Sequence, residues 1–312
     1  MKKTKIWIVD FGSQYTQLIT RKTRELGYSS EIITLDECRA RFEKKNLPEC
    51  LVLSGGPQSV FEDKNDYSFM FAERALPVLG ICYGMQLLGS HFGGVVEKGL
   101  IGEYGHAEIH FTPLFNIPLC PETISVWMSH SDHVSVVPNQ FDIVMKSSNN
   151  LVAAIKHQER PIMGLQFHPE VEHSKHGKVI LDYFYREIAE LKSDWNAEEM
   201  LIEALHIVKK IGDKKVLCAF SGGVDSLVAA TLAQKVIGEN LHCFFVDNGL
   251  LRLQDYHHIK KLKEQTYLKI EIIDAKKEFY DALSGVDDPE KKRKIIGAKF
   301  IDIFEAKVRE YQ

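Results

Sequence analysis

Cys82 lies in Gly80-Ile81-Cys82-Tyr83-Gly84, directly after the apolar run Leu76–Leu79 and before Met85-Gln86-Leu87-Leu88. A strand, a sharp turn bearing a nucleophile between glycines, and a helix make a nucleophile elbow, here with cysteine in place of serine. Glycines flank such a turn because strand and helix backbones pack closely there, and the middle residue carries the strain. The elbow lifts the sulfur out of the sheet and aims a helix N-terminus at it, which favours thiolate. A nucleophilic thiol needs a base. Ile162-Met163-Gly164-Leu165-Gln166-Phe167-His168-Pro169-Glu170 delivers His168 at the end of an apolar strand, with Glu170 two residues on. Pro169 stiffens the link, so the carboxylate is placed to hold the ring from behind. A cysteine after a strand is by itself usually a buried apolar side chain. The two residues together, each on its own element, point to acyl transfer through Cys82, His168 and Glu170.

A second constellation follows. Phe220-Ser221-Gly222-Gly223-Val224-Asp225-Ser226-Leu227 comes after a strand and opens a helix. Small residues expose backbone N–H groups, the hydroxyls add donors and the helix dipole favours anions, so the stretch reads as a phosphate cradle. It is not a Gly-x4-Gly-Lys-Ser/Thr loop.

These residues need elements to hold them. Ile6–Val9, Leu51–Leu53 and Val78–Ile81 read as buried parallel strands, with helices at Tyr15–Leu26 and Gln86–Phe92. From Gly102 to Ile155 the pattern changes to strand-like runs such as Ile124–Met128 and Val134–Val137 with short hairpin breaks, an antiparallel excursion on the same sheet. Val179–Leu191 reads as a closing helix. Lys192–Asn196 marks a boundary, giving a first domain over 1–194 and a second over 195–312. In the second, Ala197–Ile211 is helical, and strands at Lys215–Phe220, Leu241–Val246 and Lys269–Ile273 alternate with helices at Val224–Ile237 and Asp255–Glu264. The expected fold class is α/β, with two doubly wound parallel-sheet domains.

Composition bounds the function. The 312 residues are 45% hydrophobic and 26% charged, as in an ordinary globular chain of about two domains. A net charge of −4 speaks against a nucleic-acid-binding body. The start Met1-Lys2-Lys3-Thr4-Lys5 imitates a signal peptide, but only Ile6–Val9 follows it. No segment approaches the ~18 apolar residues of a membrane helix. The six cysteines show no paired spacing, which suits free thiols and a cytoplasmic setting. Asp10-Phe11-Gly12 stands without any other kinase element. His130 with His133, and His173 with His176, have ligand-like spacing but no completing carboxylate or cysteine, so no protein metal site is expected.

Gly-Ile-Cys-Tyr-Gly-Met-Gln, Gln-Phe-His-Pro-Glu and Leu53-Ser54-Gly55-Gly56-Pro57 together resemble the class I (triad) glutamine amidotransferases. The resemblance implies Cys82 as nucleophile on glutamine, His168 as general base and acid, and Glu170 as orienting carboxylate. It also implies the backbone N–H groups of Gly56 and Tyr83 as oxyanion hole, and Gln86 in glutamine binding. Ser221–Leu227 is similar to the ATP-binding loop of N-type ATP pyrophosphatases. The fused arrangement, with Asp10–Gln17, Trp127-Met128-Ser129-His130, Phe245–Arg252 and Asp288–Gly297, resembles the glutamine-hydrolysing GMP synthase family over nearly the whole chain. That resemblance implies ATP with Mg²⁺ as cofactors, Asp225 being the one candidate protein contact to the metal. It implies glutamine, XMP and ATP as small-molecule partners, no nucleic acid or membrane partner, and a homodimer for full-length members. Some of Lys291–Lys294 would meet nucleotide phosphate.

The chain ends at Gln312, where that family continues, so the second, Rossmann-like domain is expected to be incomplete and the XMP pocket partial. A glutaminase whose second domain binds ATP without completing synthesis, and a non-enzymatic nucleotide-binding remnant, are the alternatives. Ser131 stands where the family commonly has Gly, and Gly102 where it commonly has Arg. Cys82→Ala is expected to abolish glutamine-dependent ammonia release, measured on purified chain, and retention of that activity would overturn the assignment of the nucleophile.

Overall fold

The computed structural model describes residues 5–113 and 115–311, and the Met1–Thr4 start lies outside them. The chain divides into two compact units, Met1–Asn196 and Ala197–Gln312.

In the first unit, β1 (Ile6–Val9), α1 (Thr16–Glu25), β2 (Ser30–Ile33), α2 (Leu35–Glu43), β3 (Cys50–Leu53), α3 (Ser68–Phe71), β4 (Val78–Ile81) and α4 (Tyr83–His91) build the α/β rhythm. Then β5 (Val95–Phe111), β6 (Thr123–Val136), β7 (Phe141–Ser147), β8 (Val152–His157) and β9 (Ile162–Leu165) follow, before α5 (Gly177–Tyr183). All nine strands share one sheet in the order β2-β1-β3-β4-β9-β8-β7-β5-β6. The β2-β1-β3-β4-β9 segment is parallel throughout. Beyond β9 every pairing is antiparallel. The sheet is therefore mixed, with the expected excursion on its far side.

The inner parallel strands β1, β3, β4 and β9 are buried at every position and carry no charged side chain, whereas the edge strand β2 carries Ser30 and Glu31. Side chains alternate between faces. Ile6 and Ile8 pack with α1 (Ile19) and α5 (Ile180, Leu181). Trp7 and Val9 pack on the opposite face with α2 (Cys38), α3 (Met70) and α4 (Met85, Leu88). That is the doubly wound layout.

Two differences from the sequence reading have local causes. The runs at Ile124–Met128 and Val134–Val137 fall, but for Val137, in one strand, β6. The partner β5 takes up the mismatch with a register shift between Lys98 and Glu103, so β6 continues through Ser131. Gly99 and Gly102 flank the irregular stretch of β5, between Lys98 and Glu103. The closing helix begins earlier, at Gly177, and passes after Tyr183 into a π-helical turn, Phe184–Ile188.

The second unit holds α6 (Ala197–Lys209), β10 (Val216–Ala219), α7 (Val224–Ile237), β11 (Leu241–Asp247), α8 (Leu253–Gln265), β12 (Ile270–Asp274), α9 (Lys276–Leu283) and α10 (Pro289–Glu310). Its sheet is three parallel strands in the order β10-β11-β12. Asp288 caps α10, accepting from Lys291 N–H at 2.7 Å, with Pro289 in the first turn. All six cysteines are free. Burial pushes the Cys38 thiol up to about 12. Cys218 differs: a hydrogen bond with its register partner Cys243 lowers it to about 7.

The elbow leaves no room for a side chain on either of its glycines. A Cβ on Gly80 would come 2.5 Å from the Gly84 carbonyl oxygen, and one on Gly84 would overlap the Leu53 carbonyl and lie 2.8 Å from Leu53 Cβ. Gly84→Ala is expected to destabilise the first unit by about 1–3 kcal/mol, because backbone rather than a flexible side chain must yield. Gly297→Ala, in α10 with nothing within 4 Å of the added carbon, is expected to leave the thermal midpoint level or slightly higher. Differential scanning of both variants checks the contrast.

Candidate active site

The parallel strands deliver their C-terminal ends to one edge of the sheet, where open α/β sheets bind ligands. Cys82 joins β4 to α4 there with φ 53° and ψ −106°, a left-handed conformation in a non-glycine residue. Hydrogen bonds fix the strained turn on both sides. Cys82 N–H donates to the Leu165 carbonyl at 2.7 Å, and the Cys82 carbonyl accepts from Met85 and Gln86 N–H at 3.0 and 3.1 Å. The sulfur faces the Ser129 carbonyl at 3.8 Å and receives Gln166 Nε2 at 3.8 Å.

His168 follows β9 and is buried with Glu170. Its Nδ1 lies 2.8 Å from Glu170 Oε1, and the carboxylate is 1% exposed. The Tyr15 ring meets the imidazole edge-on at 4.9 Å. Burial disfavours charge on the ring. The Glu170 charge and the hydrogen bonds to Cys82 and Glu170 outweigh it, and His168 is raised to about 10. The sulfur and the ring meet over Gly55, where an added Cβ would lie 3.2 Å from His168 Cε1 and 3.6 Å from Cys82 Cβ.

A cleft of about 480 Å³ opens above the sulfur, lined among others by Gly56, Tyr83, Gln86, Tyr104 and Ser129–Asp132. Among the described residues neither the Gly56 nor the Tyr83 N–H has a recorded partner, and both residues border the cleft beside Cys82. The structure thus brings together Cys82, His168, Glu170, Gly56, Tyr83 and Gln86. Gln86 Nε2 donates to the Asp132 carbonyl at 2.8 Å, so its side chain braces the cleft wall. A larger cleft of about 670 Å³, bordered by Arg74, Lys156, Arg160 and Glu190, contains none of these groups.

Sequence reading passed over several supports. Asp63 accepts from the Tyr83 hydroxyl at 2.5 Å and from Tyr67, which anchors the side chain whose N–H faces the cleft. Burial opposes the Asp63 charge, but these bonds and Asn65 hold the carboxyl below its usual range. Ser54 accepts from Phe11 N–H at 3.0 Å and donates to the Gly55 carbonyl at 2.8 Å, shaping the glycine turn. His130 Nε2 lies 3.4 Å from the buried carboxylate of Glu103, its cross-strand partner. Burial lowers His130 despite that carboxylate. Gln166 stood inside the quoted Gln-Phe-His motif, which was its only signal. Asp63 and Glu103 belong to no local pattern at all.

The phosphate-cradle residues lie at the start of α7 in the second unit. Ser221 Oγ donates to Ser226 Oγ at 3.0 Å and accepts from Gly223 N–H at 3.3 Å. Gly222 has φ 79°, and a Cβ there would run into Ile259. The loop leaves hydroxyls and helix-start amides exposed, as an anion requires. Val224 is exposed, and Asp225 sits in the first turn. Among the described residues no three His, Cys, Asp or Glu stand close enough to hold a metal. His173 instead stacks on Trp127 at 4.6 Å. No helix among the described residues is long and apolar enough to cross a membrane.

Residues 7–188 match the family described as glutamine amidotransferase class-I. The chain belongs to that family. Residues 197–297 match a second family, described as NAD synthase. The chain is 45% identical over 301 residues to the glutamine-hydrolysing GMP synthase of Thermosipho melanesiensis, covering 95% of this chain and 58% of that protein. It is 41% identical over 320 residues to the Aquifex aeolicus GMP synthase, covering 100% of this chain and 62% of that protein. The chain thus spans about three-fifths of the length of these relatives. A solved structure from Thermoplasma acidophilum, provisionally named as part of a GMP synthase, superposes with a TM-score of 0.53 at 32% identity, over 61% of this chain and all of that one. An amidotransferase domain fused to an ATP pyrophosphatase-like domain accounts for both matched stretches.

The His168–Glu170 pair has a pH signature. His168 is raised in the folded chain from its ordinary 6.5 to about 10, so its contribution to stability is complete below 6.5 and is lost as pH rises through about 10. Glu170→Gln removes the main raising charge. The His168 titration midpoint is expected to fall, followed by NMR. The difference in thermal midpoint between the parent chain and Glu170→Gln should shrink across that same window as pH increases. A midpoint unmoved by the substitution would show that Glu170 does not set the charge of the ring.

Proposed function

We propose that the first unit hydrolyses glutamine and the second grips the phosphates of ATP, as parts of a glutamine-dependent GMP synthesis in which ammonia displaces AMP from adenylated XMP. The observation that carries the reading is the strained Cys82 turn, beside two unpaired amide N–H groups and a buried His168–Glu170 pair at 2.8 Å. Sγ of Cys82, its proton already carried by the His168 ring, attacks the glutamine side-chain carbonyl carbon. The oxygen gains negative charge and is received by the N–H groups of Gly56 and Tyr83, each such donor being worth roughly 3 kcal/mol to the transition state. Tyr83 is tied down through its hydroxyl, so its amide need not reorganise. His168, held protonated through the neutral range, gives its proton to the leaving nitrogen. Only then is the ring free to act as base on the water that cleaves the thioester, releasing glutamate.

In the second unit the hydroxyls of Ser221 and Ser226 and the amides at the start of α7 bind and orient the phosphates. Ammonia is mostly protonated in neutral water and is then no nucleophile, so making it within the polypeptide that activates the acceptor avoids that loss. The low net charge fits an enzyme of small-molecule metabolism.

A second reading confines this polypeptide to glutamine hydrolysis and ATP binding. It is favoured by the second unit, where α6 and α10 bury no residue and Met200, Ile202 and Ile207 stand more than half exposed. Apolar side chains left open around α6 suit a surface that takes a partner, and association in solution is the expected behaviour. The assay supplies purified chain with XMP, ATP, Mg²⁺ and either glutamine or ammonia. Glutamate release without GMP is the expected result. GMP formed from ammonia by this chain alone would establish complete synthesis, and no glutamate release at all would sink the amidotransferase assignment for this polypeptide.

A further inference from the structure

The backbone of His168 is itself held, and the group that holds it is Ser174. His168 N–H donates to the Trp127 carbonyl at 3.0 Å. Ser174 Oγ donates to the His168 carbonyl at 2.6 Å and accepts from Trp127 N–H at 3.0 Å. One buried hydroxyl thus closes a ring around two peptides, one in β6 and one beyond β9. Two residues along β6 from Trp127, the Ser129 carbonyl faces the sulfur of Cys82. The same bridge therefore sets the ring and the wall of the sulfur site on one frame.

The loop carrying Ser174 is braced. Ser174 N–H donates to Val171 at 3.1 Å, its carbonyl accepts from Gly177 N–H at 2.9 Å, and a Cβ on Gly177 would collide with the Pro169 carbonyl. Lys22, from α1, pairs with Glu172 in the middle of the loop. The hydroxyl is consequently delivered to a fixed point.

We infer that Ser174 is a positioning residue for amide hydrolysis, keeping His168 in register with the strand that faces Cys82. The inference rests on the roles proposed above for Cys82 and His168. Removing the hydroxyl leaves the Trp127 N–H without its recorded partner and takes away the donor to the His168 carbonyl. The imidazole, faced by Glu170, Cys82 and the Tyr15 ring, then loses its fixed approach to the sulfur. A displacement near 1 Å at a reacting group costs on the order of 100-fold in rate.

The test uses the full chain with Ser174→Ala, Ser174→Thr and Ser174→Cys, assayed below the thermal transition of each. Ser174→Ala is expected to lower kcat for glutamine hydrolysis between roughly tenfold and 100-fold with KM little changed. Ser174→Thr, which keeps the hydroxyl, should restore kcat, and Ser174→Cys, a weak donor, should fall between. The His168 titration midpoint, assigned by its loss in His168→Ala, should move down in Ser174→Ala as the contact with Glu170 loosens. A variant with a lower thermal midpoint but parental kcat and parental His168 titration would overturn the inference, as would failure of threonine to restore what alanine loses. Should Ser174→Ala not fold, the cysteine variant decides: parental kcat and titration refute the positioning role. A parental chain without glutaminase activity would instead remove the underlying reading, and the His168 midpoint would then decide the role of Ser174 alone.

Discussion

The first unit is arranged around the close approach of two backbones, β3 at Leu53 and the first turn of α4 at Gly84. Only a glycine lets them meet, and only because they meet does the chain between β4 and α4 have to turn within the span of Cys82. The positive φ of that residue is the geometric mark of this contact. A non-glycine residue in such a conformation costs on the order of 1–3 kcal/mol and persists only where its surroundings over-determine it. Here they do: Leu165 takes its N–H, the first turn of α4 uses its carbonyl, and two glycines leave no slack on either side.

From that point the rest of the site follows by neighbourhood in the sheet. β4 has β3 on one side and β9 on the other, so the turn after β3 supplies Gly55 and Gly56 while the chain after β9 supplies His168. The antiparallel strands reach the same edge by another route. β6 is the outermost strand of the sheet, yet its middle returns over the cleft, and the bulge in β5 lets it do so without breaking. Parallel strands present the chemistry, and antiparallel strands roof it.

Much of this was legible in the sequence because it is local. Apolar runs of four residues name the buried strands, and glycine spacing names the elbow. The Gln-Phe-His-Pro-Glu stretch carries ring and carboxylate within three residues, so their contact needs no knowledge of the fold. What was not legible depends on chain segments far apart. Asp63 reaches Tyr83 across 20 positions, Glu103 reaches Ser147 across 44, and Ser174 meets Trp127 across 47. Each is a polar side chain of ordinary type in an ordinary neighbourhood until the sheet closes. The continuity of β6 was hidden for a different reason: the polar stretch between its two apolar runs looks like a hairpin break until a bulge in the long partner strand β5 keeps the pairing in step.

Seven successive residues at the start of α4, Tyr83 to Gly89, are buried. A helix enclosed on all sides has no solvent-facing stripe from which to fray. Its hydrogen-bonded amides, from Met85 onward, exchange with deuterium only when the surrounding unit opens, which places the helix behind the nucleophile among the slowest-exchanging parts of the molecule. The opposite rim of the cleft is of another kind, with Tyr104 68% exposed. A ligand entering the cleft therefore meets that open rim first, above a floor enclosed by the packed start of α4.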